Sequence, residues 1–504
     1  MKTSIYFSTL ALITLPACVS GVKQKKQPEQ PNIIFLLADD FGWMDLGCYG
    51  SKFYESPNID QLAKDGMLFT DAYASCPVSS PTRYSLQTGK YPVRSGITDW
   101  IEGRFHNPRQ RENMLEVCPV LPPDNEFNMS LDEVTIAEVL KSQGYQTAHV
   151  GKWHLAEDST LFPQYQGYDI NIGGCRKGSP GPGGYFVPYN NPMLEDGPEG
   201  EYLTNRLGDE CVKIINQFKD KPFFINYNFY QVHTPLMGLT EKIDYFKEKA
   251  VRMGLDTIAK IFDENPSWKS KQPFTSNSYR ERLVQSNPVY AAMISSMDDN
   301  VGKVIQELKR LGLYENTIIF FTSDNGGLST SEGSPTSNLP LRAGKGHLYE
   351  GGIREPLIAV WKKQIKSGTV SHTQVSTIDF FPTLLDLIGC PIPTQPEIDG
   401  ISIKPALMGK KQKRGTLYWH YPHYPNQGSR PGGAILEGDY KLIEFFDNGE
   451  KELYNIREDI GEQHNLMDTN KQTADRLAKK LVRWREEVHA KMPVPNPGYH
   501  PVQK

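Results

Sequence analysis

Four runs of strand length, at residues 32–38, 146–150, 222–230 and 317–322, are too continuously apolar to lie on a surface. They fit a sheet covered on both faces. Amphipathic helical patterns separate them, and strand alternating with helix marks a largely parallel sheet. The spacing predicts helices over 131–143, 290–311 and 377–388, each stopped by a glycine suited to a C-terminal cap: Gly144, Gly312 and Gly389. Beyond Cys390 the pattern changes to a proline-rich stretch, turn-separated segments at 434–436 and 440–446, and a helix over 473–489. The expected fold class is therefore α/β, a mainly parallel sheet between helices, followed by a smaller antiparallel sheet with one packed helix. The boundary is expected between 395 and 412, giving a main domain over 32–400 and a C-terminal subdomain over 401–504.

The N-terminus reads differently. Lys2 and an apolar stretch over 5–15 have the form of a signal peptide, too short to span a membrane comfortably. Leu15-Pro16-Ala17-Cys18 resembles a lipobox, so residues 1–18 are expected to direct export, with a lipid anchor at Cys18 and a periplasmic or outer-membrane location. Residues 19–31, rich in Lys and Gln, suit a flexible tether. The 504 residues carry a net charge of −4, which supplies no global attraction for nucleic acid or an anionic membrane. Membrane contact is expected only through the anchor. Cys48, Cys76, Cys118, Cys175, Cys211 and Cys390 show no C-x-x-C spacing, which argues against zinc and against a disulfide framework, leaving one or two bridges open.

In open parallel sheets ligands bind beyond the carboxyl ends of the strands. Here all four ends are loaded: Asp39-Asp40, Gly151-Lys152-Trp153-His154, His233-Thr234-Pro235 and Asp324-Asn325-Gly326-Gly327. Paired carboxylates with an Asp-Asn pair supply oxygen ligands alone, the choice of calcium or magnesium. Lysine and histidines beside them suit an anion held on that cation. Taken singly, each has a plain alternative as a helix cap, a turn or a hydrogen-bonded core histidine. Their coincidence at four strand ends is the argument.

After the first strand comes Cys76-Pro77-Val78-Ser79-Ser80-Pro81-Thr82-Arg83, continuing to Leu86, Thr88 and Gly89. This resembles the signature of the type I sulfatases, with Ser79 at the nucleophile position. The resemblance extends through Gly151-Lys152-Trp153-His154-Leu155, His233-x-Pro235, Asp324-Asn325-Gly326, Gly344-Lys345-Gly346, Glu350-Gly351-Gly352-Ile353-Arg354 and Asp379-Phe380-Phe381-Pro382-Thr383-Leu384. It implies an alkaline-phosphatase-like core and a Ser79 oxidised to formylglycine by a radical maturase before export. A hydrated aldehyde offers two hydroxyls, one to attack sulfur and one to expel sulfate later.

Carried over residue by residue, the resemblance gives Asp39, Asp40, Asp324, Asn325 and modified residue 79 to one calcium ion. Arg83 stabilises the hydrate, and Lys152 and Lys345 bind sulfate oxygens. His233 matches the donor to the leaving alcohol and His154 the group assisting hydrate collapse. The expected substrate is a sulfate ester, most readily on a carbohydrate. Asp99, Trp100, Arg104, His420, His423 and Tyr424 are candidate specificity residues, with subdomain packing the alternative for the aromatic string. Arg354 either faces the site or forms a structural salt bridge. Two other functions fit: a phosphodiesterase or phosphonate monoester hydrolase of the same superfamily, and a glycan-binding lipoprotein without catalysis.

Overall fold

The computed structural model describes residues 30–103, 112, 115–266, 280–393 and 397–500. The expected signal peptide, Cys18, nearly all of the tether, and Arg104 lie outside the described residues. The main sheet runs, edge to edge, Thr369–Ser371, Met67–Tyr73, Arg354–Val360, Thr317–Ser323, Asn32–Ala38, Phe223–Asn228, Gln146–Gly151 and Ile170–Ile172, with Val375–Ser376 also paired to Met67–Tyr73. Pairing is parallel except where Arg354–Val360 runs against both its neighbours. The sheet is thus mixed but mostly parallel.

The Asn32–Ala38 strand shows why it lies at the centre. Ile34, Leu36 and Ala38 face one core, shared with Leu207, Met293 and Met297, while Ile33, Phe35 and Leu37 face the other, shared with Phe380, Phe381 and Leu384. With successive side chains on opposite faces, only a continuously apolar strand can be buried on both. The four strands read from the sequence match within one or two residues, except that the third is shorter, Phe223–Asn228.

Helices cover both faces. Pro288–Arg310 is capped by Asn287, whose side chain accepts from Val289 and Tyr290 amides, and it ends before Gly312 at φ 70°. The helix expected over 131–143 starts later, at Ile136, because Thr135 and Glu138 form a capping box. Residues 377–388 divide into a 3-10 turn, Thr377–Asp379, and the helix Phe380–Leu387. Cys48, Cys76, Cys175, Cys211 and Cys390 form no disulfide.

The C-terminal sheet is an antiparallel meander, Leu417–Tyr421, Gly432–Glu437, Tyr440–Phe445 and Lys451–Asn455. Ile435, Leu442 and Leu453 pack under the helix Lys471–Glu487 through Leu477, Leu481 and Trp484. The other face, with Trp419, Ala434 and Ile443, packs on Tyr73, Val78 and Ile353. That contact sets the small sheet directly behind the segment carrying Ser79.

Candidate active site

Ser79 opens the helix Ser79–Thr88, all of whose residues are buried. The helix N-terminus places partial positive charge at its hydroxyl. Four residues on, one helical turn, Arg83 lies on the same face. Its Nε donates to Asp324 Oδ2 at 2.8 Å and its Nη1 to the Lys152 carbonyl at 3.1 Å.

Asp39 and Asp40 leave the first strand together. In continued strand geometry they would point to opposite faces. Asp40 instead adopts φ 58°, a left-handed conformation uncommon for a non-glycine residue, and both carboxylates join that of Asp324 with oxygens all within 4.8 Å of one another. The Asp40 amide donates to Asp324 Oδ1 at 3.2 Å, and Asn325 Nδ2 donates to Asp40 Oδ1 at 2.9 Å. Ser79 Oγ lies 3.3 Å from Asp39 Oδ1 and 3.2 Å from the Asn325 amide oxygen.

Two lysines complete the floor. Lys152 Nζ is 2.8 Å from each Asp39 oxygen and 3.3 Å from Ser79 Oγ. Its approach depends on Gly151, at φ 95°, where a Cβ would stand 1.9 Å from the Asn228 carbonyl oxygen. Lys345 Nζ donates to Asp40 Oδ2 at 2.8 Å and to His233 Nε2 at 3.3 Å. His233 Nδ1 faces the Thr234 carbonyl at 2.8 Å and must carry the proton there, so Nε2 presents a lone pair to Lys345. His154, at φ 56°, directs Nε2–H toward the Ile101 carbonyl at 3.4 Å, and its Nδ1 is buried without a protein partner. Its ring needs Gly178, where a Cβ would come within 2.4 Å.

Burial drives the titration behaviour of these groups. It pushes the Asp39 carboxyl up, beyond what Lys152 counters, with Asp324 and Asp40 adding to the rise. For Asp40 burial is outweighed by Lys345, His233 and Lys152, which hold it below the usual carboxylate range. Burial lowers Lys152, whereas Asp40 and Glu332 overcome it to raise Lys345. Burial and Lys345 push His233 down to about 3, and burial with Lys152 and Arg83 holds His154 well below its ordinary value. Both imidazoles are neutral at pH 7.

Ser79, His154, His233 and Lys345 line a cavity of about 220 Å³. Trp100, Ser179, Glu332 and Gln427 form part of its wall. Gln427 Nε2 donates to Glu332 Oε1 at 2.5 Å, joining a main-domain turn to the C-terminal region, and Glu332 holds φ 51°. Sequence reasoning missed both residues. Their one local signal is the polar, Gly-flanked turn each occupies.

The other candidates stand elsewhere. Asp99 accepts from Tyr421 Oη at 2.8 Å and borders, with His423, a separate cavity of about 440 Å³. His423 Nε2 is 2.8 Å from Thr98 Oγ1. Tyr424 is buried beneath Val120, whose amide donates to its hydroxyl at 3.4 Å. Placing His420 and Arg354 among substrate contacts needs correction. Strand alternation sends Trp419 and Tyr421 toward the main domain, and His420 away from it, to the Lys491 carbonyl at 3.0 Å. Arg354 is held in a buried ion pair with Asp71 at 2.6 Å and Glu350 at 3.1 Å.

The donor set fits a hard divalent cation: three carboxylates and an amide oxygen converge, without thiolate. The family model "Sulfatase" matches residues 31–390, and "N-sulphoglucosamine sulphohydrolase, C-terminal" matches 343–487. A sulfatase of Formosa agariphila is 32% identical, covering 96% of this chain and 94% of its own. The N-acetylgalactosamine-6-sulfatase of Rattus norvegicus is 33% identical over 81% of this chain and 71% of its own. The crystal structure of Ps i-CgsB in complex with k-i-k-neocarrahexaose superposes with a TM-score of 0.70 at 27% identity, covering 90% of this chain and 93% of that one. With the signature helix, the acidic cluster and the main-domain match in agreement, this chain belongs to the type I sulfatase family and is a sulfuric ester hydrolase.

Proposed function

We infer that the enzyme removes a sulfate ester from a sugar, using calcium and a formylglycine made from Ser79 by a maturase before export to the periplasm or outer membrane. The observation that carries this is Ser79 Oγ at the head of a buried helix, within 3.3 Å of Asp39, Asn325 and Lys152. Two relatives, one named an N-acetylgalactosamine-6-sulfatase and one crystallised in complex with k-i-k-neocarrahexaose, support a carbohydrate substrate.

Asp39, Asp40, Asp324, Asn325 and residue 79 would hold calcium, which supplies Lewis acidity toward a sulfate oxygen and the attacking hydroxyl. The hydrated aldehyde supplies that hydroxyl. Around it, Lys152, Lys345 and Arg83 match the three carboxylates in charge. A divalent cation then leaves the pocket net positive, the condition for seating a sulfate ester. Lys345 and His233 together keep a proton at the cavity side, where the departing sugar oxygen needs one. His154 Nδ1, its lone pair unengaged, accepts the proton released at residue 79.

The test is sulfate release from 2-, 3-, 4- and 6-sulfated monosaccharides by protein co-expressed with a serine-type maturase. Release that disappears in Ser79→Ala is expected. Turnover of phosphate diesters with none of sulfate esters would overturn the reading.

A further inference from the structure

Away from the catalytic pocket, the outer edge of the main sheet borders a trough of about 1730 Å³, against 220 Å³ for the catalytic cavity. Segments far apart in sequence line it: the residues around the edge strand Thr369–Ser371, the 408–416 stretch, and the turn at Glu437 and Asp439 with Arg457 and Lys480. Cross-links hold these walls together. Gln374 Nε2 donates to the Gly438 carbonyl at 2.8 Å, Thr416 Oγ1 to Glu437 at 2.8 Å, and Lys480 Nζ to Thr416 Oγ1 at 2.6 Å.

The charge is one-sided. Seven lysines and arginines line the trough against two carboxylates, in a chain whose net charge is −4. Arg414, Arg457 and Lys480 are paired with Asp379, Asp439 and Glu437. Lys366, Lys410, Lys411 and Lys413 have no acidic partner among the described residues. Lysines that merely guard an edge strand sit on that strand. Here the strand is Thr369-Val370-Ser371, and three of the four lysines come from the 410–413 segment. Concentrated like charge in a concave surface repels itself unless an anion joins it.

We propose that this trough binds a run of sulfated sugar residues in a polymeric glycan, the excess of unpaired lysines supplying the charge complement. The proposal rests on the sugar sulfatase reading above. The volume suits several sugar units, and the side-chain hydroxyl of Thr373 offers a partner for a sugar hydroxyl beside the ammonium groups.

The full chain and K410S/K411S/K413S are compared for binding to dextran sulfate over a salt series, with dextran as the neutral control and melting temperature as the check on folding. The expected result is at least an about tenfold loss of affinity in the variant and a shallower dependence on salt. Turnover of the sulfated monosaccharide should stay unchanged. Equal affinity of variant and parent would overturn the proposal. So would loss confined to phosphatidylglycerol vesicles, which would make the trough a membrane-facing surface. A chain that binds dextran sulfate through these lysines but releases sulfate from no substrate would sustain the trough and sink the activity reading.

Discussion

Two clusters of buried charge lie within this molecule, and they are built for opposite ends. In one, Lys441 Nζ is 2.9 Å from both Glu350 and Glu462, all three sealed from solvent, and Arg354 ties Glu350 to Asp71. This cluster joins the C-terminal sheet to the segment that follows Lys345. In the other, Asp39, Asp40 and Asp324 face Lys152, Lys345 and Arg83, but the Lys345 and His233 side chains keep 8% and 17% exposure and border a cavity. His154 Nδ1 beside them has no protein partner. The first cluster closes on itself; the second stays incomplete until something enters. Buried charge by itself is therefore no sign of catalysis, whereas buried charge beside an opening is.

Substitutions can break that contrast. The largest effect is expected from Lys152→Met, which removes the cation beside Ser79 Oγ and Asp39. Turnover in steady-state assays should fall by roughly 10²–10³-fold with the fold retained. Lys441→Met should do the reverse. It leaves two carboxylates facing each other in the dark of the interface, costing about 3–5 kcal/mol in denaturant unfolding while the remaining folded enzyme keeps its kcat. Equal activity losses in the two variants would erase the distinction.

A milder change sharpens it. Burial raises Glu462 to about 7, above its ordinary 4.5, against the pull of Lys441. A raised carboxyl binds its proton more tightly when folded, so its contribution is fully present below pH 4.5 and is lost as pH rises to 7. Glu462→Gln should abolish that part of the decline and raise the melting temperature at pH 8, without altering the pH profile of kcat. The smallest effect is expected at the cavity wall. Gln427→Ala should raise KM for a sulfated sugar by about fivefold, with kcat nearly unchanged.

Much of this was open to reading before the structure, for identifiable reasons. Central strands announce themselves because burial on both faces demands unbroken apolar runs, as in Ile33 to Leu37. The residues that follow them are then located by topology alone, and Asp39, Asp40, Lys152, His233 and Asp324 do come together. Where local signals compete, the reading drifts: Thr135 and Glu138 cap a helix that periodicity alone begins several residues earlier. An aromatic string such as 418–424 does not reveal which alternate residues face inward, so His420 is misplaced. Glu332 and Gln427 sit in turns with no period to betray them, and they meet only through the packing of distant segments.

The complete burial of the helix Ser79–Thr88 carries a consequence for timing. Ser79 keeps 3% exposure, beneath the C-terminal sheet that packs against Val78. On the formylglycine reading proposed above, the oxidising enzyme would have to grip the chain around Ser79, and the folded molecule offers no free segment there. On that reading maturation and folding would be rivals for the same chain, and whichever won would decide the fate of that copy. A molecule that folded first would then be stranded, stable and silent, with no route back short of unfolding.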